Sequence, residues 1–136
     1  MENLDQHLAF LVLRAALGLN ILMHGLVRLR AGSRKFSESL VKDFEGTPLT
    51  PGLVAWFGYS LPPLESILGF LLLMGLFTQP VLLIGGMLII LLILGKSFQA
   101  DWQTVSFQMI YVLIYAILLW LRPANYFSVD TLIFIQ

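Results

Sequence analysis

Cysteine is absent from this chain of 136 residues, and charged residues make up only 12% of it. Without thiols the chain cannot form disulfides, carry out dithiol redox chemistry or bind a metal through thiolates. Apolar residues reach 58%, well above the soluble norm. The formal net charge is zero, which gives no electrostatic reason to expect a nucleic acid partner. The composition therefore predicts an integral membrane protein whose partners are lipid, apolar molecules or other membrane helices.

Recognisable catalytic motifs are also lacking. The sequence has no glycine-rich phosphate loop, no metal-ligand cluster and no nucleophile beside a base. Its two histidines, His7 and His24, would lie roughly 25 Å apart on a continuous helix, so one chain cannot supply both axial ligands of a haem. We expect neither haem nor metal from a single chain, and we do not expect it to catalyse a reaction alone. Whether it is a subunit of an enzyme stays open.

The apolar run 8–29 is long enough to cross a bilayer, yet it contains polar side chains. On a helix, one face collects Arg14, Asn20, His24 and Arg28. A charge that faces hydrocarbon costs between ~3 and more than ~10 kcal/mol, so we expect Arg14, Asn20 and His24, and Glu65 of the second span, to face the protein interior. The alternative for the two arginines is that their long side chains reach the membrane interfaces.

The pattern predicts an all-α integral membrane four-helix bundle that forms a single domain over residues 1–136. Its spans are expected at about 8–29, 60–77, 80–97 and 104–121. Pro62 and Pro63 should either begin the second span or kink it. A segment from about Lys35 to Phe44 has an apolar stripe opposed by charges, which is typical of a short helix in the membrane interface between the first two spans.

Further polar residues lie in the second and fourth spans. Glu65 follows the two prolines within one helical turn, and Gln108, Tyr111 and Tyr115 share a face of the fourth span. Core packing or an interfacial aromatic belt would also explain the tyrosines. We assign no catalytic residue. The candidates for a ligand-binding site or polar core are Arg14, Asn20, His24, Glu65, Gln108 and Tyr111.

Basic residues are concentrated in two of the predicted loops. Lysines and arginines between the first and second spans, and Lys96 between the third and fourth, predict that these loops face the cytoplasm. Both termini then lie outside, and a bacterial cytoplasmic membrane is the expected location. Thr78 is predicted to cap the third span, and the apolar tail after Pro123 is too short to cross. We expect this tail to lie on the bundle or along the membrane surface.

The chain resembles the DoxX-like family of small four-span membrane proteins, which includes the DoxD-type subunits of thiosulfate:quinone oxidoreductases. The resemblance lies in LRAALGLNILMHGLVRL of the first span, the carboxylate in PPLESILGFLLLMGLFTQP, and the SVD of NYFSVD after the fourth span. Gln108 stands where a family carboxylate is expected, which argues against any mechanism that needs two buried acids. The resemblance implies a redox subunit that works with quinone and a partner protein.

Three functions follow as hypotheses. The first is a redox subunit that binds a quinone or similar apolar molecule, with His24 donating to a ring carbonyl and Glu65 collecting a proton. A His24–Glu65 pair that only fixes two helices together is an equal alternative for these residues. The second function is a non-catalytic membrane scaffold or assembly factor. The third and weakest is a transporter, for which a homo-oligomer would have to supply more helices.

Overall fold

The computed structural model describes residues 2–134, and most of these are helical. In chain order the elements are α1 (Glu2–Ala31), α2 (Ser33–Asp43), α3 (Pro51–Met74), α4 (Thr78–Phe98), α5 (Trp102–Trp120), a 3₁₀ turn (Arg122–Ala124) and α6 (Val129–Phe134). Within the described residues, α1, α3, α4 and α5 are long and apolar enough to cross a membrane. The all-α fold class is confirmed, with a short helix between the first two spans, and the chain is an integral membrane protein.

The four long helices pack in the order α1, α3, α4, α5, and α5 returns to α1. The closest approach is between α1 and α3, where Gly18 and Gly25 on one helix face Gly69 and Ser66 on the other. A Cβ atom on any of these three glycines would overlap the opposing backbone. Small residues let the backbones of membrane helices come into direct contact, so α1 and α3 form the tightest pair in the bundle.

The helix α3 begins well before the two prolines and continues through them. Thr50 caps its first turn by accepting a hydrogen bond from the backbone N–H of Leu53 at 3.4 Å, and the helix ends at Gly75, where φ is 65°. Of the two alternatives predicted for the prolines, the one in which the span begins at Pro62 is wrong, because both prolines lie inside α3. The half of α3 before the prolines is supported by α2, since Gly58 packs against Ser37.

The helix α2 has the predicted amphipathic character. Its buried Ser37 donates a hydrogen bond to the carbonyl of Ala55 on α3 at 2.8 Å. Its apolar stripe consists of four half-buried residues, Phe36, Leu40, Val41 and Phe44. The opposing charged residues are exposed. This helix therefore lies against the start of α3 at the end of the bundle opposite to the termini.

Two aspartates cap the helices α4 and α5. The carboxylate of Asp130 accepts hydrogen bonds from the backbone N–H groups of Phe77 and Thr78 at 2.6 and 2.7 Å, so the predicted cap by Thr78 is wrong. Asp101 accepts from the backbone and hydroxyl of Thr104 at 3.2 and 2.7 Å. These hydrogen bonds, of which the one from the Thr104 hydroxyl has the largest effect, hold the pKa of Asp101 below its usual value.

The position of the bilayer follows from α5. Trp102 and Trp120 stand at its two ends, roughly 27 Å apart at ~1.5 Å per residue, which is close to the ~30 Å of a hydrocarbon core. Both tryptophans are exposed, as expected for side chains in the interfacial aromatic belts. Tyr111, midway between them, lies near the middle of the membrane.

Candidate functional site

Among the charged side chains that the structure describes, Arg14 is the most deeply buried, with 1% of its surface exposed. Its guanidinium donates to the backbone carbonyls of Leu72 at 3.0 Å and Phe127 at 2.7 Å. The Leu72 carbonyl lies at the C-terminal end of α3, where the helix dipole is negative and favours a cation. Gly75 leaves the necessary room, because a Cβ atom there would collide with the guanidinium. Arg14 therefore joins α1, α3 and the tail without an acidic partner in direct contact within the described residues.

The tail is held at the same place from its own side. The backbone N–H of Asp130 donates to the carbonyl of Gly75 at 2.9 Å, while its carboxylate caps α4. Asn125 donates to the hydroxyl of Thr78 at 3.0 Å, and the ring of His7 contacts the carbonyl of Ala124 at 2.8 Å. The tail thus docks on the bundle at the turn between α3 and α4, which was one of the two predicted locations.

The partner of Glu65 is Arg28. One guanidinium nitrogen of Arg28 lies 2.7 and 2.6 Å from the two carboxylate oxygens, and its carbon lies 4.8 Å from the centre of the Phe36 ring. Glu65 is 7% exposed, whereas the side chain of Arg28 is 29% exposed. The predicted pairing of Glu65 with His24 is therefore wrong. Arg28 is one turn further along α1, and its longer side chain reaches back to the carboxylate.

A groove of about 310 Å³ lies between α1 and α5. Its wall is apolar except for Asn20 and Tyr111, and the tyrosine hydroxyl donates to the Asn20 side-chain oxygen at 3.3 Å. The apolar lining consists of Leu13, Ala16, Leu17, Phe107, Ile110 and Ile114. Ligand pockets begin at roughly 300 Å³ and combine apolar walls with a few polar groups. The groove has room for one substituted ring, with any long tail left in the lipid.

His24 lies one turn from Asn20 on α1 and is exposed. Its Nδ1 lies 2.8 Å from the backbone carbonyl of Asn20. Asn20 itself is exposed at the mouth of the groove. Of the side chains predicted to face the interior, Arg14 and Glu65 are buried, but the prediction is wrong for Asn20 and His24. Close packing of α1 on α3 uses the glycines of the first span, and this leaves Asn20 at the groove beside α5 and His24 exposed one turn further along α1.

Gln108 is half-buried, and its side-chain oxygen is enclosed without a hydrogen-bond partner among residues 2–134. It does not line the groove, although Tyr111, three residues later, does. The six candidates thus fall into separate places. Asn20 and Tyr111 meet at the groove, with His24 beside them, while Glu65 pairs with Arg28 and Arg14 lies under the tail.

Several polar groups that shape these sites were not among the candidates. Arg28 was placed on the polar face of α1, but no sequence signal identified Glu65 as its partner. Asp130 belongs to the SVD segment, and its role as a distant cap depends on where the tail docks. The i, i+7 spacing of Gly18 and Gly25 is a signal that could have identified the face of α1 that contacts α3.

Together the four spans and the lateral groove define a small integral membrane protein with an opening towards lipid. Comparisons with family models, curated proteins and solved structures gave no match for this chain. The resemblance to the DoxX-like family therefore stays a prediction.

Proposed function

We propose that this chain is a membrane subunit of a redox system and that it binds a quinone, or a similar ring-bearing apolar molecule, between α1 and α5. The groove is the observation that supports this most directly. The groove lies near the middle of the membrane, because Asn20 in its wall bonds to Tyr111, which stands midway along α5. Lipid-soluble molecules can therefore enter the groove from the side. The side-chain NH₂ group of Asn20 donates to no partner within the described residues, so it is free to donate a hydrogen bond to a ring oxygen.

The chain has no thiols, and the described residues contain no cluster of potential metal ligands. Electrons would therefore have to pass through a bound molecule and a partner protein. The resemblance to the DoxX-like family supports the same proposal, since it implies work with quinone. Glu65 has no place in this binding site, because Arg28 occupies both of its oxygens.

Photoaffinity labelling tests the proposal. An azidoquinone irradiated with the protein in liposomes should label peptides of α1 and α5, and unlabelled quinone should compete. Ala16→Phe fills the groove and should abolish the labelling, whereas Leu19→Phe places the same ring on the exposed face outside the groove and should have no effect. Labelling that is spread over all four spans, or that survives Ala16→Phe, would overturn the proposal.

A second candidate is a scaffold or assembly factor in the membrane. The observation that favours it is the outer face of α4 and α5, which exposes many large apolar side chains, including Met87, Leu91 and Leu113. Another membrane helix would fit this face as well as lipid does. Leucine-to-lysine changes there should lower recovery of a partner complex without changing photolabelling if this candidate is correct.

We also propose the orientation with both termini outside. The end of the bundle formed by α2 and the α4–α5 turn carries most of the basic residues, which supports a cytoplasmic location. Because the chain has no cysteine, Asn3→Cys and Ser39→Cys give exposed single labelling sites at the two ends. An impermeant thiol reagent should label Asn3→Cys from outside and leave Ser39→Cys unlabelled, and the reverse result would mean the opposite orientation.

A further inference from the structure

His24 extends the line of α1 residues that form the groove. Leu13 and Asn20 are two of these residues, and His24 is eleven positions after Leu13, which on an α-helix amounts to three turns plus about 20°. The imidazole therefore stands on the same face as the groove wall, one turn from Asn20 in the direction of α2. It is exposed and lies just beyond the residues that line the groove, so a ligand that extends one turn past Asn20 would meet it.

The hydrogen bond of His24 fixes the arrangement of its ring protons. Nδ1 lies 2.8 Å from the backbone carbonyl of Asn20, and a carbonyl only accepts. Nδ1 must therefore carry a proton and donate it. In the neutral ring the other nitrogen, Nε2, then has no proton and is a hydrogen-bond acceptor. Nε2 has no partner among the described residues.

The neutral ring of His24 offers Nε2 as an acceptor about 10 Å from the end of α1, at ~1.5 Å per residue. Glu65 on α3 lies within electrostatic range of this ring, but its carboxylate is already paired with Arg28.

We infer that the groove recognises the reduced, hydroxyl-bearing form of its ring ligand, a quinol, through a hydrogen bond from a ring hydroxyl to Nε2 of His24. This inference rests on the proposed function and assigns the ligand class of the same groove. The Asn20 amide donates to a carbonyl or a hydroxyl oxygen alike, so it does not distinguish the two forms. Nε2 does, because a quinone has no hydroxyl to donate. The sequence-based prediction that His24 donates to a ring carbonyl is replaced by one in which it accepts from a ring hydroxyl. The single N–H of the neutral ring, at Nδ1, already donates to the Asn20 carbonyl within α1.

The size of the preference follows from one hydrogen bond in a half-open site. A neutral hydrogen bond contributes a net factor of roughly three- to tenfold in affinity. We therefore expect the quinol to bind up to about tenfold more tightly than the quinone. The dimethyl ether of the quinol keeps both oxygens but cannot donate, so it should bind as weakly as the quinone.

Equilibrium binding of three short-chain ligands to the protein in liposomes, without oxygen and corrected for partition into protein-free liposomes, tests the inference. The probes are decyl-ubiquinol, decyl-ubiquinone and the dimethyl ether of the quinol. The wild-type protein should prefer the quinol, and His24→Ala should reduce quinol affinity to that of the other two. Leu26→Ala, an exposed control on another face of α1, should keep the preference.

The outcomes separate the two proposals. Equal affinities in the wild-type protein, or a preference that persists in His24→Ala, would overturn the quinol inference and leave the groove proposal standing. No saturable binding of any of the three ligands would overturn the proposed function itself. Because His24 is exposed, its replacement by alanine should not prevent folding.

Discussion

Arg14 and Arg28 lie on the same helix, about 21 Å apart at ~1.5 Å per residue, and are stabilised in different ways. Arg14 is buried and bonds to the backbone carbonyls of Leu72 and Phe127. Arg28 is partly exposed and bonds to the carboxylate of Glu65. The direct partners of a cation in a membrane helix can therefore be backbone carbonyls, with the carboxylate of Asp130 within electrostatic range of Arg14 but not bonded to it. The end of a helix, with its unpaired carbonyls and negative dipole, serves the same purpose.

The difference also determines which parts of the chain each arginine connects. Arg28 joins α1 to α3, two helices that already pack through their glycines. Arg14 joins the same helices to the tail, and the tail in turn caps α4 through Asp130. The two arginines should therefore respond differently to mutation. Replacing Arg28 removes one ion pair, whereas replacing Arg14 affects the docking of the whole tail.

The largest effect is expected for Arg28→Met, which would leave the carboxylate of Glu65 buried without its partner. Because breaking a buried pair costs about 3–5 kcal/mol and Arg28 is partly exposed, we expect the free energy of unfolding to fall by about 2–3 kcal/mol. Unfolding in mixed detergent micelles measures this. The double change Arg28→Met with Glu65→Leu should recover most of the loss, and a double variant as unstable as the single one would show that the ion pair is not the cause.

A smaller and more local effect is expected for Arg14→Met. The Leu72 carbonyl keeps the N–H of Gly75 as a donor, while the Phe127 carbonyl loses the guanidinium. We expect a loss of about 2 kcal/mol, typical of one hydrogen bond to a charged group, and release of the tail. Limited proteolysis should then cut between Phe127 and Phe134 in the variant but not in the wild type. A tail that stays as protected in Arg14→Met as in the wild type would mean that the Arg14 bond to Phe127 does not hold it.

Asp130→Ala should lower the free energy of unfolding by about 1 kcal/mol, as expected for loss of an N-cap. The backbone N–H groups of Phe77 and Thr78 would lose their acceptor. Thermal unfolding measures the change, and Thr131→Ala offers a neighbouring change that leaves the cap intact. Equal shifts in both variants would indicate that tail packing, not the cap, is being measured.

The smallest effect concerns pH and Asp101, outside the spans. The folded pKa of this carboxyl is lowered, chiefly by the Thr104 hydroxyl. Its contribution to stability is therefore complete above the pKa of the unfolded chain and is lost as the pH falls through the lower, folded pKa. Unfolding measured from neutral to acidic pH should show this loss, and Asp101→Asn should flatten that part of the profile. An unchanged profile in the variant would assign the acid sensitivity to other carboxyls.

The sequence predicts the four spans and the amphipathic α2 because both depend on local patterns of apolar and charged residues. It does not predict the start of α3, since Pro62 and Pro63 allow either a break or a kink, whereas the helix begins at Pro51 and its first half packs on α2. The rotation of α1 about its own axis is predicted correctly for Arg14 but not for Asn20. Burial of Arg14 follows from its polarity, but Asn20 faces the groove because Gly18 and Gly25 determine which face meets α3.

The partners of the polar residues were harder to predict than their burial. Glu65 lies within reach of both His24 and Arg28, and side-chain length and direction, which the spacing does not contain, decide for Arg28. Likewise, the cap of α4 comes from a residue in the tail, and only the docked tail brings Asp130 to Thr78. The groove depends on the packing of two helices distant in the chain.

The most direct test of the central proposal is the quinone content of the protein purified in mild detergent from its native membrane. Solvent extraction and chromatography should give about one quinone or quinol per wild-type chain, a normal amount in Leu19→Phe and little in Ala16→Phe. Wild-type protein that folds and carries no such molecule, or Ala16→Phe that retains the same amount, would contradict binding in the groove between α1 and α5.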